Sequence, residues 1–158
     1  MNINETIIIL HNIRSVYNVG AVFRTADAVG VSKIYLTGYT PTPLDRFNRE
    51  RKDLSKSALG AEKSVSWEYK KSIGILIKKL KKEKFKIIAV EQSKESIDYK
   101  TFKFKQKVVF LFGNEVRGVS KQLLKKCDKI IEIPMKGEKE SLNVSVSAGV
   151  VLFRVLGV

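Results

Sequence analysis

The 158-residue sequence holds a single cysteine, Cys127, and a single histidine, His11. One of each excludes, within one chain, a disulfide, a Cys/His zinc site and a Cys–His nucleophilic pair, and such sparse cysteine suits the reducing cytosol. No apolar run approaches the roughly 20 residues that span a bilayer. The opening Met1-Asn2-Ile3-Asn4-Glu5 lacks the basic and apolar regions of a signal peptide. Acidic residues are scarce: 16 stand against 30 Lys and Arg, a net charge of +14. Because 44% of the chain is still apolar, whole-chain disorder is excluded, and the charge excess points to a polyanionic partner. The length is expected to fit one domain over residues 1–158, with neither a second full domain nor an appended module.

Two origins are open for the basic excess. The 23 lysines, 14 of them between Lys63 and Lys107 with only five acids, read partly as solvated helix surface and partly as AT-rich coding. The seven arginines are more informative, because a planar guanidinium fork suits phosphate. Arg14, Arg24, Arg46, Arg49, Arg51 and Arg117 all fall in or near loops.

Hydrophobic patterning alternates strand and helix. Thr6–Leu10 reads as a buried strand. Asn18–Val29 carries Val19, Val22, Phe23, Ala26 and Val29 at helical spacing, with Asn18 as a candidate cap and Gly30 as the stop. Lys33–Thr37 is a second strand, and Gly38–Arg51 a long polar loop of the kind that tends to be functional. Val65–Trp67 suggests a short strand and Tyr69–Glu83 an amphipathic helix. Lys86–Glu91, Val108–Phe112 and Lys129–Ile133 are further strands, with Ser120 capping a short helix through Lys126. Strands apolar on both faces predict an α/β domain, a mostly parallel sheet with helices on both faces. Asn143–Leu156 is open between strand and helix.

Ligands of open α/β sheets lie beyond the carboxyl ends of the strands, and three segments there carry chemistry. After the first strand, Asn18-x-Gly20 and Arg24 open a helix in which Gly20 permits close approach; alone, Arg24 could equally be a surface cation. After Val108–Phe112 comes Gly113-Asn114-Glu115-Val116-Arg117-Gly118, which is not the dinucleotide fingerprint; Glu115 is either functional or paired with Arg117 or a nearby lysine. After Lys129–Ile133 comes Pro134-Met135, then Ser141-Leu142-Asn143, able to cap a helix or bind a substrate.

Asn18-x-Gly20-x-x-x-Arg24-x-Ala26, Gly113-Asn114-Glu115-x-x-Gly118-Val119, and Ile133-Pro134-Met135 with Ser141-Leu142-Asn143-Val144-Ser145-Val146 together resemble the three ordered motifs of the SpoU (TrmH-like) RNA ribose methyltransferases of the SPOUT superfamily. The likeness runs from about His11 to Val155 and includes Ser57–Glu62; Ser147, where the family usually has alanine, departs from it. The resemblance implies a C-terminal trefoil knot built from the loops after Val108–Phe112 and Lys129–Ile133, and a final helix. It also implies S-adenosylmethionine as cofactor, a ribose 2'-hydroxyl of structured tRNA or rRNA as acceptor, a homodimer, and neither metal nor membrane.

By position, cofactor contacts fall to Glu91, Gln92, Gly113, Ile133, Met135, Ser141, Leu142 and Asn143. The resemblance assigns catalysis to Asn18, Arg24, Glu115, Ser141 and Asn143. An arginine side chain is already protonated and has no lone pair to accept a further proton, so the expected role of Arg24 is a cation that stabilises a developing alkoxide and holds the adjacent phosphate. Arg14, Arg46, Arg49, Arg51 and Arg117 are the expected RNA contacts. Val150, Val151, Phe153, Val155 and Leu156 are expected to need cover from a partner subunit. A non-catalytic RNA-binding relative and a base-methylating SPOUT enzyme are the alternatives; the joint presence of the five catalytic residues disfavours the first and Ser141-Leu142-Asn143 the second.

Overall fold

The computed structural model describes residues 4–158. Strands β1 (Glu5–His11), β2 (Lys33–Thr37), β3 (Ser66–Lys70), β4 (Lys86–Val90), β5 (Ile97–Asp98), β6 (Lys107–Phe112) and β7 (Lys129–Glu132) form one sheet in the order β3-β2-β1-β6-β4-β7-β5. Every strand pairing is parallel, so each connection is a crossover, and all except the β4–β5 and β5–β6 connections carry an α-helix onto a face.

The two-residue period of β1 shows why both faces are covered. Ile8 and Leu10 point to one side, where they join Phe110 and Phe112 of β6 and the helices α1 (Val16–Val29), α2 (Lys52–Ala58) and α6 (Val144–Leu156). Ile7 and Ile9 point to the other, against Leu76, Ile77 and Leu80 of α4 (Ile73–Lys82) and Leu123 of α5 (Lys121–Leu124). This is the expected two-faced parallel architecture.

Several boundaries differ from the sequence expectation. Helix α1 begins at Val16, and its cap is Ser15, whose Oγ accepts the Asn18 N–H. Asn18 is therefore a helical residue, free to use its side chain elsewhere. Helix α4 begins only at Ile73 under a Ser72 cap, because Trp67 and Tyr69 pair beside Ile34 and Leu36 in the sheet. Helices α2 and α3 (Ala61–Ser64) lie in a stretch whose local pattern shows too little period to announce them. The ambiguous C-terminal run is helix: Asn143 caps it, and Ala148, Val151 and Leu152 are buried at helical spacing.

Gly20 is fixed by packing. A Cβ there would fall on Ser57 Oγ and the Leu54 carbonyl oxygen, so its absence lets α1 lie directly against α2.

Candidate active site

Strand β4 lies between β6 and β7, both later in the chain. The segments that follow three adjacent strands, joined by the residues entering α6, therefore enclose one cleft of about 310 Å³. All eight residues expected at the cofactor line it: Glu91 and Gln92 beyond β4, Gly113 beyond β6, Ile133 and Met135 beyond β7, and Ser141, Leu142 and Asn143 before α6. Glu115 lines it too.

Side-chain bonds hold these segments in place. Glu91 accepts the Gln92 N–H at 2.9 Å and the Val119 N–H at 2.9 Å, tying β4 to the loop after β6. Gly118 has φ 64° in that loop, and a Cβ on it would strike the Glu91 carboxylate. Gln92 Nε2 donates to the Glu140 carbonyl at 2.7 Å, bridging β4 to the last loop.

Glu115 is the centre of the rim. Its carboxylate accepts the backbone N–H of Arg14 at 3.0 Å and of Ser15 at 3.0 Å, and Asn18 Nδ2 at 3.3 Å. The anion thus sits at the N-terminus of α1, where unpaired N–H groups and the helix dipole favour negative charge. Burial pushes the Glu115 carboxyl up, but the N–H donors of Arg14 and Ser15, its own N–H and the Asn18 amide outweigh it and leave the group below the ordinary carboxylate range. Of the two alternatives open for Glu115, the pairing with Arg117 or a lysine does not form among the described residues, and the carboxylate takes N–H donors instead; the Arg117 N–H goes to Asn114 Oδ1.

The chain of contacts continues through Asn18, which is only 5% exposed. Its Oδ1 accepts Asn143 Nδ2 at 3.2 Å. Asn143 in turn uses Oδ1 for the Ser145 N–H at 2.8 Å and the Ser145 hydroxyl at 2.6 Å. One relay, Glu115–Asn18–Asn143, thereby joins the loop after β6, helix α1 and the cap of α6.

The remaining candidates stand apart from that relay. Arg24, on α1 beyond Asn18, is exposed, its side chain makes no hydrogen bond or ion pair among the described residues, and it does not line the cleft. Ser141 lines the cleft and is exposed. Arg14 reaches Glu115 through its backbone. Arg49 pairs with Asp45 and Arg51 with Asp53; Arg46, Arg49 and Arg117 are exposed. His11 sits at the end of β1 with Nδ1 2.8 Å from Thr37 Oγ1, its pKa lowered by burial, outside the cleft.

Sequence reasoning missed two contributors. Asn114, buried, donates from Nδ2 to the Asn12 carbonyl at 2.9 Å and to Tyr39 Oη at 3.0 Å while its Oδ1 accepts Val116 N–H, fixing the loop that presents Glu115. Tyr39 keeps 59% of its surface exposed despite that bond. The signal available for Asn114 was its place between Gly113 and Glu115; nothing local distinguishes Tyr39.

A ligand-sized cleft at the carboxyl ends of a parallel sheet, with helices on both faces, defines an α/β small-ligand domain. The chain belongs to the SpoU rRNA Methylase family, whose model matches residues 5–153. It is 32% identical over 152 residues to a tRNA (guanosine(18)-2'-O)-methyltransferase of Aquifex aeolicus (strain VF5), covering 94% of this chain and 67% of that one. It is 34% identical over 146 residues to the 23S rRNA (guanosine-2'-O-)-methyltransferase RlmB of Neisseria meningitidis serogroup B (strain ATCC BAA-335 / MC58), covering 92% of this chain and 56% of the relative. An AdoMet-bound rRNA methyltransferase from Sinorhizobium meliloti superposes with a TM-score of 0.83 at 27% identity, covering 95% of this chain and 55% of that one. The chain thus spans from a little over half to about two thirds of these relatives' lengths. The trefoil knot implied by the family falls, on that expectation, in the loops that line the cleft.

Proposed function

We propose that the protein is an S-adenosylmethionine-dependent methyltransferase acting on a ribose 2'-hydroxyl of tRNA or rRNA, in the cytoplasm and as a homodimer. The observation that carries this reading is the convergence of the cleft with the Glu115–Asn18–Asn143 relay at its rim. Family membership and the printed activities of the relatives support the reaction; the net charge of +14 supports the polyanionic substrate.

The cleft suits the cofactor chemically. Val90, Ile133, Met135 and Leu142 supply apolar wall, while Glu91, Gln92, Ser141, Asn143 and the Gly113 backbone supply polar groups. Its volume of about 310 Å³ falls in the range of small-molecule sites. S-adenosylmethionine bound there supplies a methyl group already activated on a sulfonium. What is left to the protein is to align the 2'-oxygen and to accommodate the loss of its proton.

A guanidinium is a donor and not a proton acceptor, so the role of Arg24 is to stabilise the developing alkoxide and hold the adjacent phosphate. Glu115, with its carboxylate engaged by N–H donors and its pKa lowered, is an orienting anion that positions Asn18 and the N-terminus of α1. Asn143, which lines the cleft and donates to Asn18, would link the cofactor side of the site to α1. Dimerisation is supported by α6, which leaves Val146 and Phe153 exposed and Val150, Val155 and Leu156 half-covered; Val151, expected to need a partner, is already buried within the chain. Sedimentation at micromolar concentration tests it, and an active monomer would refute it.

The mechanistic test separates binding from transfer. Arg24→Ala is expected to keep S-adenosylmethionine affinity by calorimetry while nearly abolishing single-turnover methylation of a responsive RNA. Arg24→Lys tests whether the planar fork matters: little rescue assigns a bidentate role, substantial rescue a point charge. Wild-type turnover in Arg24→Ala would overturn the assignment.

A further inference from the structure

The tip of loop 38–51 is built to a degree that an ordinary surface turn does not need. Asp45 Oδ1 accepts the N–H of Phe47 at 2.7 Å and of Arg49 at 3.0 Å, and Asp45 Oδ2 accepts Arg49 Nε at 2.8 Å. The backbone closes the same turn, from Asp45 N–H to the Arg49 carbonyl at 2.8 Å and from Asn48 N–H to the Asp45 carbonyl at 3.0 Å. Asn48 takes a left-handed φ of 58°, and Leu44 bridges Glu50 across the base.

What this scaffold holds out is a phenyl ring. Phe47 is 62% exposed, contributes to neither apolar core, and has the guanidinium carbons of Arg46 and Arg49 at 4.8 and 4.9 Å from its centroid. Arg49 keeps 71% of its side chain exposed even while paired with Asp45, so its fork still reaches solvent. A solvent-facing ring with two cations over it matches an unpaired nucleotide: the base would take a ring face that a guanidinium now covers, and the displaced cation would meet a neighbouring phosphate. An apolar protein segment fits poorly, since covering the ring would also strip water from both guanidinium groups.

We propose that Phe47 is a stacking platform for an unpaired RNA base, with Arg46 and Arg49 holding the adjacent phosphates, at a place distinct from the methyl-transfer cleft. This rests on the reading of the chain as an RNA enzyme. Stacking tolerates every base, so the platform selects single-stranded or looped RNA over duplex rather than a sequence.

The test titrates the full chain with a labelled short single-stranded RNA, and with a duplex of equal length, at several salt concentrations. Phe47→Ala is expected to weaken single-strand binding by about 5- to 150-fold, the range of one base–ring stack. Its salt slope and its affinity for duplex should be unchanged. Phe47→Leu, equally apolar without a π-face, should stay weak, and Phe47→Trp should recover. Arg46→Ala should instead reduce the salt slope by about 0.7, one phosphate of a single strand. Calorimetry with S-adenosylmethionine should give wild-type affinity in all four variants, showing that the fold and cleft are intact. Wild-type single-strand affinity in Phe47→Ala, or full recovery by Phe47→Leu, overturns the platform while leaving the RNA reading standing. Failure of the unsubstituted protein to bind either RNA overturns the RNA reading itself, and the platform with it.

Discussion

Glu115 shows how one side chain can serve fold and site together. Hydrogen bonds to a charged acceptor contribute about 1.5–3 kcal/mol when buried, and solvent at this half-covered rim reduces that to about 1 kcal/mol. Glu115→Gln keeps the shape and removes the charge, so it should cost about 1 kcal/mol near neutral pH by denaturant titration. The folded-state pKa lies below the ordinary carboxylate value. The stabilisation is therefore fully present above that ordinary value and fades as pH falls toward the folded pKa, so the gap between wild type and variant should close on acidification through the same window. A constant gap down to acid would show that charge is not what α1 uses. Cys127 offers a second check at this scale: burial pushes its thiol up to about 11. Alkylation at neutral pH should be far slower than for a free thiol and should accelerate on unfolding.

Among the elements, those with their own local signals were legible and those that depend on neighbours were not. β1, β2, β4 and β6 announce themselves as apolar runs, and Gly30 does end α1 in the left-handed conformation. The start of α1 was misplaced because Asn18 looks like a cap, whereas its amide is spent on Glu115 and Asn143, residues 97 and 125 positions away. Tyr69 belongs to β3 for a similarly distant reason, its pairing beside Leu36.

Two element-scale predictions follow from packing and capping. Gly20→Ala forces a methyl onto Ser57 Oγ and the Leu54 carbonyl. It should cost about 1–3 kcal/mol by denaturant titration, and a neutral result would show that α1 and α2 can separate freely. Asn143→Ala should lose the α6 cap, about 1 kcal/mol, along with the link to Asn18. Asn143→Ser restores a capping oxygen but no amide donor, so it should recover thermal stability without recovering methyl transfer. Recovery of both would make Asn143 a cap only.

For the whole molecule, the parallel sheet covered on two faces was readable from strands apolar on both sides, and the candidate cofactor set was readable only through three motifs in order. Periodicity could not have brought Glu91, Gly113, Ile133 and Asn143 to one cleft, since their convergence depends on β4 lying between two later strands. Arg24 lies outside that cleft, and its contact with the acceptor is a proposal that methyl transfer, not cofactor binding, has to test. The most direct test of the central claim incubates the protein with isotopically labelled S-adenosylmethionine and tRNA or rRNA, digests the RNA to nucleosides and locates the label by mass spectrometry. The account predicts label on the ribose of one nucleotide type, lost with Arg24→Ala; label on a base, or none on any RNA although S-adenosylmethionine binds, would contradict it.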